Sequence, residues 1–347
     1  MRIENKGVGA TAPVARVYGG IMKITMAHGA GGRLTDELIR EVFVKNFSES
    51  SVPLEDAAVL DLPSRRIAYT TDSFVVTPLF FPGGDIGRLA VCGTVNDLLT
   101  RGAAPKYLSA GFILEEGLDI DALEKAVRSM AETAREAGVK IVTGDTKVIE
   151  GRGGMYINTS GIGVMEGDTD ISARRAVSGD AVIISGDVGC HHACILSARM
   201  EIENGITSDC APLNGMVAAL LSGGVAVHVM RDVTRGGFAT VLNEIAAASG
   251  VGIALSGEPL TNGEVQGFCD ILGLDPLYMG CEGVMAVILP ESDAERAVDI
   301  IRTCRYGENA RITGKVTAGT SGVTIKTRAG GHRIIGPLIG EGLPRIC

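Results

Sequence analysis

Strand-like and helix-like stretches do not alternate strictly along this chain, and that irregular order limits the available folds more than any single motif. Residues 56–60 and 68–73 both read as apolar runs of strand type before the first long helical stretch, 86–101. A strand at 107–114, a helix at 119–137 closed by Gly138, a strand at 140–143 running into Gly144-Asp145-Thr146-Lys147-Val148 and another strand at 156–165 follow. A doubly wound parallel sheet needs a helical crossover between successive strands, so consecutive strands predict an α+β fold with mixed sheets. A second unit opens at the polar turn around Gly179-Asp180. It reads as a strand at 181–185, a helix near 191–203, a helix–turn–strand over 214–230, and a helix at 238–249. A strand at 284–289, a helix at 292–304 and strands near 311–316 and 323–327 close it. The expected organisation is an extension over 1–22, an N-terminal domain over 23–168, a C-terminal domain over 169–335, and a mobile tail over 336–347.

Composition narrows the function. Glycine occupies 48 of 347 positions, about 14% against a usual 7%, which favours tight loops that approach a ligand closely. The formal charge is −9 and no basic block occurs, so a nucleic-acid surface is not expected. Eight scattered cysteines without Cys-x-x-Cys spacing, and no secretory leader, point to reduced thiols and a cytoplasmic location. The most apolar window, 216–230, is broken by Ser222-Gly223-Gly224 and His228, so no membrane span is expected.

The chemistry-bearing residues are mainly acidic. Asp56, Asp72, Asp97 and Asp145 are spread over the first domain in similar local contexts. Carboxylates at strand ends suit Mg²⁺, a hard ion that takes carboxylate and phosphate oxygens, although any one of them could simply cap a turn. Asp97 and its neighbour Asn96 fall inside an apolar helix, where a carboxylate costs several kcal/mol to bury unless it is paired or binds metal. Lys147 could place a charge on a transferring phosphoryl group, and Glu282 could accept a proton. His28-Gly29-Ala30-Gly31-Gly32-Arg33 precedes a helix and could cradle a phosphate or merely turn the chain. Cys190-His191-His192-Ala193-Cys194 has no second ligand pair at zinc spacing and reads as a buried helix start. Neither a Walker loop nor a Gly-x-Ser-x-Gly elbow occurs.

The chain ends on Leu343-Pro344-Arg345-Ile346-Cys347, after the flexible points Gly336-Pro337 and Gly340-Glu341-Gly342. A thiol on such an arm can travel to a site elsewhere.

With these residues in view, the sequence resembles the hydrogenase maturation factor HypE family from Ile24 to Cys347. The likeness runs through Thr71-Asp72-Ser73, Gly93-Thr94-Val95-Asn96-Asp97-Leu98, Gly144-Asp145-Thr146-Lys147-Val148, Arg231-Asp232-Val233-Thr234-Arg235-Gly236-Gly237 and the tail Pro344-Arg345-Ile346-Cys347. Most of these motifs belong to a wider group that includes aminoimidazole ribonucleotide synthetase and selenophosphate synthetase. The resemblance implies that group's two-domain fold, a dimeric barrel of N-domain strands, and ATP with Mg²⁺ as cofactors. It also implies ATP-dependent dehydration of an S-carboxamide on Cys347 to an S-cyanate. HypF would be the carbamoyl donor and a HypC–HypD complex the cyano acceptor.

On the same basis Asp56, Asp72, Asp97 and Asp145 would hold metal, with Asn96, Gly144 and Thr146 joining them at ATP. Glu282 would be the base, Lys147 would stabilise the oxygen side, and Arg345 would steer the tail. Three positions depart from the family pattern: Glu55 before Asp56, the Cys190–Cys194 segment, in which only His191 matches, and Cys281 in place of asparagine. A small-molecule ATP-dependent synthetase or kinase and a non-catalytic nucleotide-binding scaffold are the alternatives.

Overall fold

The computed structural model describes residues 17–18, 21–30, 33–47, 60–165, 167, 169–257, 259–319, 322–327 and 329–338. Asp56, Arg345 and Cys347, and most of the expected extension and tail, lie outside the described residues.

The first unit begins with the hairpin β1 (Val17–Tyr18) and β2 (Ile21–Met22), then a 3₁₀ turn at Met26–Gly29. Next come α1 (Arg33–Leu38), a π-helical segment (Ile39–Val44) and α2 (Lys45–Phe47). After β3 (Ile67–Phe74), the pair β4 (Phe80–Phe81) and β5 (Gly84–Asp85) leads into α3 (Ile86–Leu99). The long strand β6 (Ala103–Glu115), the amphipathic helix α4 (Ile120–Ala137), β7 (Lys140–Ile149) and β8 (Met155–Met165) complete it. The strands order β3-β8-β6-β7, with only β6 and β7 parallel.

Helix α3 lies against one face of this sheet. Asp85 caps it by accepting from the N–H groups of Gly87 at 2.8 Å and Arg88 at 3.0 Å, which satisfies two of the free donors of its first turn. It is buried almost all round because the sheet covers one side while α4 and the second unit cover the others.

The second unit comprises β9 (Asp180–Ile184), α5 (Cys190–Arg199), α6 (Asn214–Ser222), β10 (Val229–Asp232), α7 (Gly237–Ser249), β11 (Gly252–Leu255) and α8 (Gly263–Leu272). It continues with β12 (Met285–Pro290), α9 (Ala294–Arg302), β13 (Arg311–Thr317), β14 (Gly322–Lys326) and β15 (His332–Ile335). Its sheet orders β10-β12-β9-β13-β11-β14-β15, with β11 and β14 the one parallel pair. Strand β9 is buried at every position because helices cover both faces. Phe238 of α7, fully buried against Val182, Ile184 and Ile288, anchors one face, worth roughly 1.5–3 kcal/mol of burial. The other face joins α5, α6 and α9 in an apolar cluster that runs on into α3 and α4, so the two units share one core.

The mixed sheets agree with the expected α+β class. The unanticipated elements include β1 and β2, which fall within the expected 1–22 extension, the β4–β5 pair, β11, α8 and β15. Helix α8 carries a legible start, since Asn262 Oδ1 accepts from Val265 N–H at 2.9 Å. Strand β7 runs straight through Gly144–Val148, beyond the strand expected at 140–143. Parallel pairing with β6 extends it to Ile149.

Candidate active site

Strand β3 and helix α3 place Asp72 and Asp97 on the helix-covered face of the first sheet. Asp72 Oδ1 accepts from the N–H of Ser73 at 2.7 Å, and the Thr70 hydroxyl donates to Asp97 Oδ2 at 2.8 Å. Burial, and then the charge of Asp72, raises the Asp97 pKa, while the Thr70 bond and Arg231 and Arg235 oppose the rise.

The second unit contributes two further carboxyls. Asp232, at the end of β10, is pushed up to about 6 by burial and by Asp97, with Arg231 acting against it and Asp72 adding to it. Glu282, in the loop before β12, is raised well above the usual carboxylate range by burial, then by Asp232, Asp209 and Asp72. The charges of Asp97 and Asp72 thus act on Asp232, and those of Asp232 and Asp72 on Glu282, across the domain boundary. Asp232 was not among the residues singled out from sequence. Its signal was the motif Arg231-Asp232-Val233-Thr234-Arg235-Gly236-Gly237, which the resemblance had already brought forward.

A cleft of about 420 Å³ opens at this boundary, lined by Thr70, Asp97, Arg101, Arg174, Arg231 and Asp232 among others. Guanidinium groups beside carboxyls suit a polyphosphate carrying a divalent cation. Among the described residues no three carboxylate, histidine or cysteine side chains converge tightly enough to hold an ion unaided.

Other nominated residues lie elsewhere. Cross-strand partners run Ser73, Asn158, Gly111, Asp145 across the sheet, and side chains alternate between faces along each strand. Asp145 and Lys147 consequently stand on the face opposite Asp72, exposed and paired with each other at 2.8 Å. The Lys147 ammonium holds the Asp145 carboxyl below the usual range. Thr146 is half-buried on the helix-covered face opposite Phe112. Within one chain, Asp145 and Lys147 do not share a face with Asp72 and Asp97.

Packing accounts for two of the suggestive glycines. A Cβ at Gly144 would sit 2.4 Å from the Ala110 carbonyl oxygen, and one at Gly29 would meet Val148 at 2.8 Å. Asn96 is buried, and its side-chain amide is bonded to backbone groups of the second unit.

The Cys190–Cys194 segment forms the buried start of α5. His191 Nδ1 bonds Ser208 Oγ at 2.8 Å and its ring packs edge-on against Phe81 at 5.4 Å. Burial pushes its pKa down to about 3 and the Cys190 thiol up to about 12. The Cys281 sulfur accepts from the N–H of Gly189 at 3.1 Å, so cysteine here braces the loop next to Glu282.

The sequence matches two families, AIR synthase related protein, N-terminal domain, over residues 54–165, and its C-terminal domain over 177–326. It is 46% identical over 336 residues to carbamoyl dehydratase HypE of Rhodobacter capsulatus, covering 94% of this chain and 98% of that protein. The Escherichia coli K12 carbamoyl dehydratase HypE is 41% identical over 338 residues, covering 93% of this chain and 99% of the relative. A crystal structure of hydrogenase maturation protein HypE in complex with ATP superposes with a TM-score of 0.88 at 47% identity, covering 93% of this chain and 99% of that one. Another of a HypE–HypF complex gives 0.76 at 46% identity, covering 88% and 100%. A thiamine-monophosphate kinase from Stenotrophomonas maltophilia, 18% identical with a TM-score of 0.66 and covering 87% and 98%, shares the fold alone. The chain belongs to the HypE family of carbamoyl dehydratases, built from two AIR synthase related domains.

Proposed function

We propose that this chain is an ATP-dependent carbamoyl dehydratase of nickel–iron hydrogenase maturation, and that its substrate is its own terminal Cys347 carrying an S-carboxamide. The observation that carries this reading is the convergence of Asp72 and Asp97 from one domain with Asp232 and Glu282 from the other, beside an arginine-lined cleft.

In this reaction the carboxamide oxygen attacks the γ-phosphorus of ATP and ADP leaves, turning a poor leaving group into phosphate. The C–O bond then breaks, phosphate departs, and loss of both N–H protons leaves a carbon–nitrogen triple bond on Sγ. Glu282 takes the proton removed at elimination, from the loop where the second domain meets helix α3. Mg²⁺ held by Asp72, Asp97 and Asp232 would neutralise charge on the phosphates. Asp56, outside the described residues, remains a candidate ligand, and Thr146, on the helix-covered face, a candidate contact to ATP. Arg345 would draw the tail toward the carboxyls of Asp232 and Glu282.

The root of the tail supports the assignment. Tyr278 Oη donates to the Gly336 carbonyl at 3.1 Å, and Leu338 N–H donates to Thr240 Oγ1 at 3.1 Å. Tyr278 and Glu282 are four peptide steps apart, so their Cα atoms are separated by at most about 15 Å. The nine residues 339–347 can span up to about 30 Å when extended. The terminal thiol is therefore within reach of Glu282.

Ile67, Tyr69 and Ile113 are exposed on the uncovered face of the first sheet, together with Asp145 and Lys147. A second copy packed on this face would bury them, and we take the protein to act as a homodimer in the cytoplasm. HypF is its carbamoyl donor and HypC–HypD its cyano acceptor. No helix among the described residues is long and apolar enough to cross a membrane.

The test is intact-protein mass spectrometry after incubation with HypF, carbamoyl phosphate and Mg–ATP. Carbamoyl addition at Cys347 followed by loss of one water is the expected result. An unmodified Cys347 in folded, ATP-competent protein would overturn the reading.

A further inference from the structure

Glu282 sits in the short loop before β12, where the second domain meets the first, and general-base chemistry demands that its carboxyl be placed to a fraction of an ångström. Its own peptide groups reveal how this is done. The Glu282 N–H donates to Asp209 Oδ1 at 2.6 Å. The Glu282 carbonyl accepts from Ala211 N–H at 3.3 Å and from Asn96 Nδ2 at 3.4 Å. Asn96 Nδ2 also donates to the Ala211 carbonyl at 3.0 Å, and its Oδ1 accepts from Leu213 N–H at 3.0 Å. Asp209 Oδ2 accepts from His191 N–H at 3.4 Å, tying the same carboxylate to the start of α5.

Glu282 is thus held by its N–H from within its own domain and by its carbonyl from helix α3 of the other domain. Asn96 immediately precedes Asp97, one of the cleft carboxyls. A helical peptide consequently links a carboxyl lining the cleft to the residue that clamps the Glu282 loop.

We propose that Asn96 and Asp209 are positioning residues for Glu282, with Asn96 transmitting the placement of α3 to the Glu282 loop. This rests on the dehydratase reading above. It assigns Asn96 a role distinct from contact with ATP, because its amide is engaged by backbone groups of residues 211, 213 and 282.

The experiment measures ATP affinity by calorimetry and single-turnover water loss from the HypF-carbamoylated full-length chain, at saturating Mg–ATP and at a temperature where each variant is folded. Asn96→Ala is expected to slow water loss on the order of 10- to 100-fold, the usual cost of a misplaced catalytic group, while ATP affinity stays within about twofold of wild type. Asp209→Asn keeps an Oδ1 acceptor for the Glu282 N–H and should retain much more of the rate than Asp209→Ala. That second pair carries the test if Asn96→Ala does not fold. An Asn96→Ala chain whose ATP affinity falls as far as its rate, or equal rates for the two Asp209 variants, overturns the inference. A wild-type chain that dehydrates while Asn96→Ala keeps its full rate overturns it alone. A wild-type chain that never loses water removes the dehydratase reading and this inference together.

Discussion

The hydroxyl of Thr70 on β3 donates to Asp97 Oδ2 on α3 at 2.8 Å, and this bond favours the ionised carboxylate against burial and the nearby charge of Asp72. Thr70→Val keeps the side-chain shape and removes the donor, at a cost of about 1 kcal/mol to the ionised form. The Mg²⁺ concentration needed for half-maximal ATP binding should rise roughly fivefold. An unchanged Mg²⁺ titration would show that Asp97 does not face the ion.

Asp232 supplies a carboxyl from the second domain, and its pKa of about 6 reflects a buried group among like charges. Asp232→Asn should weaken ATP binding at least tenfold in Mg²⁺ and leave it nearly unchanged in EDTA, since an amide is a poorer ligand for a hard cation. Equal losses in both conditions would point to a direct nucleotide contact instead.

Acid stability follows from two buried groups of opposite sign. His191 has a folded pKa of about 3 against an ordinary 6.5. The unfolded chain therefore gains a proton that the folded chain refuses, and stability is lost as pH falls from 6.5 toward 3, by about 1.4 kcal/mol per pH unit. Asp209 is raised by burial to about 6 from 3.8, so its contribution is present below 3.8 and lost as pH rises through 6. Between about pH 4 and 6 the two slopes oppose each other. Urea denaturation of wild type and His191→Gln at pH 4.5 and 6.5 should show the variant losing about 2–3 kcal/mol less on acidification. Parallel behaviour of the two proteins would contradict the neutral, buried imidazole.

Gly144 lies in a motif that invites a phosphate-binding interpretation, yet its hydrogen faces the Ala110 carbonyl of the neighbouring strand. Gly144→Ala should destabilise the chain by about 1–3 kcal/mol through overpacking, measured by chemical denaturation. Reduced ATP affinity at unchanged stability would restore the ligand role.

Tyr278 holds the root of the tail through the Gly336 carbonyl. Tyr278→Phe removes about 1 kcal/mol of orientation, and single-turnover water loss from carbamoylated Cys347 should slow severalfold with ATP affinity unaltered. A wild-type rate would mean that the tail is guided only by residues nearer Cys347.

Much of the fold is legible in local pattern. Helix α4 carries its apolar stripe and ends at Gly138 with φ 66°, and β3, β8, β9 and β12 were recognisable as apolar runs. Short β11 and β15 were not, because four residues carry too little periodicity to stand out from loops. Strand β7 was underestimated because Gly-Asp-Thr-Lys lacks strand propensity and is held by its pairing with β6.

The candidate site divides along the same line. By itself the sequence determined that the chain holds mixed helix and strand, carries aspartates in similar local contexts, has a cysteine at position 347 and shares its motifs with the HypE family and its wider group. These are properties of residue type and spacing. Tertiary structure alone decided which carboxyls meet: Asp232 joins Asp72, Asp97 and Glu282, while Asp145 and Lys147 turn to the opposite face. Strand register sets the face a side chain takes, and domain packing sets the distance between charges more than a hundred residues apart. Neither can be read from local order, because both depend on which surfaces of the folded chain come together.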